Sequence, residues 1–298
     1  MAQPSVALRR QIVSALSPQY GSVASLCQLL GLAPSSYYHH GRGYIDVAGD
    51  RSILKALEKL AGRYPTYGYR RLSKLLRRQP AFAAVNPKRV RRLLKNAGIQ
   101  ARKAPRRFVT TDSRHGFRRY PNLVRALAVE RPDQVWVCDL TFIELSTGVV
   151  VYLAIVLDVF SRSIRGWALG RDVTHALTVQ ALRRALRHGV CEIHHSDQGV
   201  QYATPLYTQL LEARGIQISM TDRGKAWQNG YAERWMRTLK EEEVYLSDYQ
   251  TYAEALKQIG RFIDAVYNRK RIHSALGDLS PAEFEAEWQR QQSQPTLP

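Results

Sequence analysis

The sequence predicts an α/β protein in three parts: an all-α, strongly basic first part with helix-turn-helix character, a mixed five-stranded sheet flanked by helices, and a tail of C-terminal helices. Three observations carry this. Charge is segregated: residues 1–128 hold 25 Lys+Arg against 4 Asp+Glu (net +21), whereas residues 129–298 hold 19 against 21 (net −2). The first hundred residues place their apolar side chains at helical spacing, interrupted by Gly and Pro. From Asp133 onward, three β-rich runs joined by short turns give way to alternating helical and extended patterns.

Taken in order, Val6 to Leu16 reads as an amphipathic helix ending at Ser17-Pro18. A helix over Ser22 to Leu30 follows, then a turn at Gly31 and a short segment from Ala33 to His39, the outline of a helix-turn-helix within residues 1–45. Gly41-Arg42-Gly43 reads as a linker. A second helical module, residues 46–104, opens near Asp50 and reaches Tyr64-Pro65. It continues through Tyr67-Gly68-Tyr69-Arg70-Arg71 into a helix carrying Leu72, Leu75 and Leu76. Its last helix has the clearest ends, with Asn86 as N-cap, Pro87 at the first position and Ala97-Gly98 as the stop. Val90, Leu93 and Leu94 line one side of that helix, and Lys88, Arg89, Arg91, Arg92 and Lys95 take the rest.

Five cations on about three turns repel one another unless a polyanion neutralises them, so this helix is expected to face double-stranded DNA, together with Tyr69, Arg70 and Arg71. Residues 105–130 read as an extended basic linker, with Arg106 and Arg107 as further DNA contacts. The core, residues 131–245, comprises strands over Gln134–Leu145, Val149–Val159 and Arg162–Leu169, and a helix from Thr174 to Arg187. It goes on with a strand Glu192–His195, a helix Pro205–Ala213, a strand Ile216–Met220 and a long helix after Asn229. Helices over Tyr249–Tyr267 and Pro281–Gln292 make up the extension, residues 246–298.

Composition narrows the class. An apolar fraction of 45% over 298 residues suffices for a folded core. The longest apolar run, Val149 to Leu157, falls far short of the ~20 residues of a membrane span. With no apolar leader at the start, the expectation is a soluble cytoplasmic protein. Cys27, Cys138 and Cys191 are odd in number and widely separated, which suits buried free thiols rather than a disulfide framework or zinc site. Arginine outnumbers lysine 34 to 10, in keeping with bidentate phosphate contacts.

Within a protein so poor in acid, carboxylates in apolar surroundings are informative. Asp139 lies mid-strand in Trp136-Val137-Cys138-Asp139-Leu140-Thr141, Asp197 ends the fourth strand, and Glu233 sits one turn into the long helix. A carboxylate buried in a strand is costly unless paired or bound to metal. Ala232, Trp235, Met236 and Leu239 form the packing face of that helix, whereas Glu233, Arg237 and Lys240 share an adjacent stripe, a possible metal ligand beside two phosphate contacts. Two Asp and one Glu are hard oxygen donors that suit Mg²⁺, with Mn²⁺ as substitute, and two such ions support in-line displacement at phosphorus.

Asp197 and Glu233 are separated by 35 residues, and Lys240 follows Glu233 by seven. This spacing resembles the acidic triad of the retroviral integrase and insertion-sequence transposase superfamily. Leu157-Asp158-Val159-Phe160-Ser161-Arg162, Gly166-Trp167, His195-Ser196-Asp197-Gln198-Gly199 and Arg271-x-His273-Ser274-Ala275-Leu276 resemble the OrfB catalytic frame of the insertion-sequence three family. So do Tyr67-to-Arg71 and Asn86-to-Leu94, in the helical module before the core. The resemblance implies an RNase H-like core with Asp139, Asp197 and Glu233 as catalytic metal ligands and Lys240 on DNA near the reacting phosphate. It further implies nicking at transposon ends, direct transfer of the 3′-hydroxyl to another phosphodiester, a copy-out, paste-in pathway, and multimers pairing two terminal inverted repeats before joining them to target DNA. An OrfA partner or fusion and a nucleoid-associated bacterial location come with it. Only Cys27 and His39-His40 occupy the region of a retroviral zinc module, so no zinc is expected. A nuclease of the same fold and a non-catalytic DNA-binding regulator are the rival readings. Asp158 and His273 read as structural, Asp222-to-Gly224 as a flap or plain turn, and one of His194 and His195 as a group that could orient DNA or a metal-bound water.

Overall fold

The computed structural model describes residues 6–38, 47–101 and 116–293. The chain divides into two compact units, residues 1–56 and 57–298. In the first unit, α1 (Val6–Tyr20), α2 (Val23–Leu29) and α3 (Pro34–Tyr38) bury Val13, Cys27 and Leu32 against one another. The first helix runs past the expected stop at Ser17-Pro18. Pro18 lacks the N–H that the Ser14 carbonyl would accept, and the Ser17 hydroxyl donates to that carbonyl instead, at 3.4 Å. Ser22 caps α2 by accepting from the Ser25 N–H, and Gly31, at φ +60°, closes it by entering the left-handed region. His39 and His40 lie outside the described residues.

α4 (Val47–Arg63) leads to α5 (Tyr69–Arg77) and α6 (Pro87–Asn96). Asn86 caps α6 as expected, its side-chain oxygen accepting from Lys88 N at 2.8 Å, and Val90, Leu93 and Leu94 are its buried side. α5 buries Leu72, Leu75 and Leu76 and sends its cations to the C-terminal part of the chain. Arg71 pairs with Glu242 at 3.1 Å, Lys74 with Asp278, and Arg78 with Glu283 at 3.0 Å.

The sheet runs β3-β2-β1-β4-β5, with β1 (Val135–Glu144), β2 (Val150–Asp158) and β3 (Ile164–Gly170) antiparallel. β4 (Ile193–Ser196) and β5 (Gln217–Met220) are parallel additions, reached through α7 (His175–Ala185), α8 (Val200–Ala203) and α9 (Pro205–Glu212). Gly148, at φ +80°, turns the β1–β2 hairpin where Thr147-Gly148 predicts it. Side chains alternate across the sheet. Val135 and Val137 pack with α10 (Gly230–Glu242) and α11 (Tyr252–Arg261), whereas Trp136 and Cys138 pack with α7 and α9. Gly166 lets α7 lie directly on β3, since a Cβ there would sit 2.2 Å from the Ala181 carbonyl oxygen.

The expected single helix over Tyr249–Tyr267 is instead α11 followed by a π-helical stretch, Phe262–Tyr267, and α12 (Asn268–Lys270). Thr251 sets the later start by capping Glu254 N, and Asp264 accepts from the Trp167 indole at 3.2 Å within the widened turn. α13 (Pro281–Ser293) is fixed to the sheet by half-buried Arg165, which bridges Asp133 and Glu285. The three cysteines are buried free thiols.

Candidate active site

Register brings the two aspartates together. β1 and β4 pair in parallel as Val135↔Ile193, Trp136↔His194 and Val137↔His195. Continued along the chain, that register carries Asp139 in β1 and Asp197, the first residue after β4, to the same end of the two strands. Alternation directs both toward α10, because Val135, Val137 and Ile193 share the core that α10 covers. β4 ends at Ser196, so past that point β1 keeps only its antiparallel partner β2, and the site opens at the end of β4. Each Asp carboxylate is oriented by one backbone donor: Asp139 Oδ1 accepts from Leu140 N at 2.8 Å, and Asp197 Oδ1 from Gly199 N at 2.9 Å.

α10 supplies the third carboxylate. Ala232, Trp235, Met236 and Leu239 are buried as the helical pattern predicts, and Glu233 and Arg237 stay exposed on the adjacent stripe. Lys240, on the same stripe, lies 4.9 Å from the centre of the Phe142 ring, on the part of β1 that extends beyond β4. Sequence reasoning passed over the residue that anchors this helix. Asn229, 3% exposed, donates from Nδ2 to the Cys138 carbonyl at 2.9 Å, pinning the start of α10 to the residue before Asp139. A polar side chain just ahead of Gly230 and the packing face is the available signal.

Electrostatics show that the three acids share one field. Burial lifts Asp139 to about 7, the charges of Asp197 and Glu233 push the same way, and the Leu140 N–H and Lys240 oppose them. Glu233 is raised by partial desolvation and by Asp197, against the pull of Arg237. Burial lowers Lys240, and Asp139 opposes that shift. Among the described residues no three His, Cys, Asp or Glu side chains stand close enough to hold a metal ion as they are. The donors nevertheless fit a hard divalent cation in kind: all are carboxylate oxygens, they repel one another without a cation, and exposed Glu233 is the member with room to move.

Both site histidines are excluded from contact with DNA. His194 (1% exposed) meets the Cys138 thiol and the Tyr207 hydroxyl at 2.8 Å each, and His195 (0%) meets the Ser219 hydroxyl at 2.8 Å. Burial holds them neutral, at about 3 and about 4. Asp158 is structural, accepting from Asp133 N, Ser161 N and the Ser161 hydroxyl. His273 stacks edge-on against Tyr267 at 5.2 Å. Asp222 holds its loop closed through Lys225 and Gln228.

Of the basic candidates, Lys88, Arg91 and Lys95 are exposed on α6, with Arg89 and Arg92 half-buried. Arg70 and Arg91 both approach the Tyr69 ring, at 5.8 and 5.6 Å from its centroid. Arg71 is engaged with Glu242 and the Tyr67 ring rather than turned outward. Arg106 and Arg107 lie outside the described residues.

A mixed five-stranded sheet with an aspartate in its central strand, a second just after the neighbouring parallel strand and a glutamate on the helix that covers them, following a helix-turn-helix-like module in sequence, is the architecture of an integrase-type core. The integrase core domain family matches residues 129–226, a second integrase core family residues 214–281, and an HTH-like domain residues 49–108. The chain is 34% identical over 268 residues to the insertion element IS600 uncharacterized 31 kDa protein of Shigella sonnei, covering 87% of this chain and 97% of that one. It is 30% identical over 277 residues to transposase InsF for insertion sequence IS3A of Escherichia coli (strain K12), covering 89% and 94%. Among solved structures, the HTLV-2 integrase catalytic core domain in complex with magnesium matches at 14% identity and a TM-score of 0.41, over 52% of this chain and 97% of that one. The chain belongs to the insertion-sequence transposase family, of the IS3 type, and is a DDE-class polynucleotidyl transferase. DNA binding and a divalent-metal requirement accompany that core. No helix among the described residues is long and apolar enough to cross a membrane.

Proposed function

We propose that the chain nicks the ends of its own insertion sequence and transfers the resulting 3′-hydroxyl directly to a second phosphodiester, with Asp139, Asp197 and Glu233 as the catalytic carboxylates. The observation that supports this reading is the setting of Asp139, a carboxyl raised first by burial and then by the charges of Asp197 and Glu233. Mg²⁺, or Mn²⁺ in its place, held by these carboxylates would activate the attacking oxygen and stabilise the leaving one.

The protein's own residues bind and orient. Lys240 and Arg237 hold the strand beside the scissile phosphate, and Asn229 keeps Glu233 facing Asp139. Tyr69, Arg70 and the α6 cations Lys88, Arg89, Arg91, Arg92 and Lys95 grip duplex DNA at the terminal inverted repeats, with Arg106 and Arg107 continuing along it. Arg71 serves the junction with Glu242 instead. Pairing two ends requires at least a dimer, working in the bacterial cytoplasm at the nucleoid along a copy-out, paste-in route, with an OrfA segment in trans or fused.

The test replaces Asp139, Asp197 and Glu233 singly by the corresponding amide and follows nicking and strand transfer on a labelled terminal duplex with added Mg²⁺. Each change is expected to abolish both steps while end binding survives. Retained turnover removes that residue from the set, nicked product without branched product points to a nuclease, and no metal-dependent cleavage by the unaltered protein points to a regulator.

A further inference from the structure

A second cationic site lies on the other flank of α10. A cavity of ≈ 240 Å³ opens between α10, the β2–β3 turn and the segment after α12, and four of its lining residues are Arg71, Arg162, Arg234 and Arg271. No carboxylate lines it. Glu242, outside the lining, is shared by Arg71 at 3.1 Å and Arg271 at 2.7 Å, so one carboxylate answers two of the four guanidinium groups. The field is felt by His273, pushed down to about 3 by burial and by Arg271, Arg71 and Arg162.

Two donors in the cavity wall have no acceptor. Trp235, 2% exposed, has its indole Nε1–H enclosed without a partner, and so does Nη1 of Arg162. Buried donors left unpaired cost about 1–3 kcal/mol each and call for an explanation. Arg162 is also held at φ +63°, a strained backbone for a residue with a side chain, while its guanidinium lies 4.0 Å from the centre of the Tyr231 ring. Strain, orphaned donors and unneutralised cations converge on one small volume. That volume is below the ~300–1,000 Å³ of sites for whole small molecules, which suits a single anionic group. Tyr231, Arg234 and Ser274 rim the mouth and are exposed, so the group can arrive attached to something larger.

We propose that this cavity binds one backbone phosphate of a DNA strand crossing α10, with Arg162, Arg234 and the Trp235 indole as donors. It would act as a second anchor on the flank of α10 opposite the carboxylates. The proposal rests on the transposase reading only for the source of the phosphate, and its test is run without divalent ions, so it does not depend on the carboxylate chemistry.

Binding of a fluorescent terminal duplex is titrated against KCl for the unaltered chain, Arg234→Gln and Arg162→Gln/Arg234→Gln. Losing one phosphate contact lowers the slope of log K against log salt by about 0.9, so the affinity advantage of the unaltered chain shrinks roughly 3-fold between 50 and 200 mM. Identical slopes for all three would overturn the proposal. Because Arg162 sits in a strained turn, a second measurement uses the unaltered protein: the ¹⁵N-indole resonance of Trp235, assigned with Trp235→Phe. It is expected to shift with duplex DNA. A shift with inorganic phosphate but not with duplex would overturn the DNA assignment in favour of a free-phosphate site, and no shift with either would remove the site.

Discussion

Replacing Asp139 by Asn should make the metal-free protein more stable while abolishing its activity. In the native state the Asp139 carboxyl titrates at about 7, whereas its ordinary value is 3.8. A raised carboxylate disfavours folding once it must ionise, and the sign follows from which state holds the proton. Below pH ~4 both states are protonated and nothing is lost. Between pH ~4 and ~7 the unfolded chain ionises while the folded one keeps its proton, so stability falls as pH rises. Above pH ~7 the loss levels off at about 4 kcal/mol, taking 1.36 kcal/mol per pH unit. Asn carries no charge yet keeps an oxygen that can accept from Leu140 N, the bond Asp139 makes at 2.8 Å. The amide variant should therefore match the native protein at pH 4 and exceed it by up to about 4 kcal/mol at pH 8, on the order of 10 °C in Tm for a unit of this size. Calorimetry across pH 4–8 in chelator measures this, and added Mg²⁺ should narrow the gap by stabilising only the native protein. Equal melting temperatures at pH 8 would refute the inference that burial beside two further acids raises Asp139.

Removing Glu242 with Glu242→Ala strands Arg271, which is 4% exposed, and frees Arg71; the expected loss is about 3–5 kcal/mol in chemical denaturation. Gly166→Ala forces a Cβ to within 2.2 Å of the Ala181 carbonyl oxygen and 2.6 Å of Ala185 N, so α7 must shift, at about 1–3 kcal/mol by thermal melting. Asn229→Ala removes the bond to the Cys138 carbonyl; nicking should fall in kcat with duplex affinity unchanged, and a pure affinity loss would show that Asn229 does not position Glu233.

Much of this was legible from pattern. The N-cap at Asn86, the hairpin turn at Gly148 and the packing face of α10 depend on neighbours three or four residues away, and local rules read them correctly. Asp139 stood out because a charged side chain inside an apolar strand contradicts its surroundings, and Asp197 because it lies where the chain leaves the sheet. What pattern missed was settled across the fold. The helix through Pro18 survives on a hydroxyl from Ser17, and the π-helical turn at Phe262–Tyr267 accommodates Trp167 from another element. His194 and His195 alternate across the strand as expected, yet both faces are covered, so alternation alone could not show that neither reaches solvent.

Charge itself was the most deceptive signal. The net +21 of residues 1–128 suggests a uniformly DNA-facing half, but Arg71, Lys74 and Arg78 recur at i, i+3 and i+7 along α5 and meet Glu242, Asp278 and Glu283. These side chains neutralise one another inside the chain, and the acids they meet belong to the sequence beyond residue 128. Both the basic excess before that point and the slight acidic excess after it thus contain charges that cancel on folding. Among the cations left for phosphate, with no such stripe of acids opposite them, are the exposed Lys88, Arg91 and Lys95 of α6 and, on α10, the exposed Arg234 and Arg237. Salt dependence of binding should follow this smaller set: Arg71→Gln should weaken the fold and leave the slope unchanged, whereas Lys88→Gln or Arg91→Gln should leave the fold intact and lower the slope by about 0.9 each.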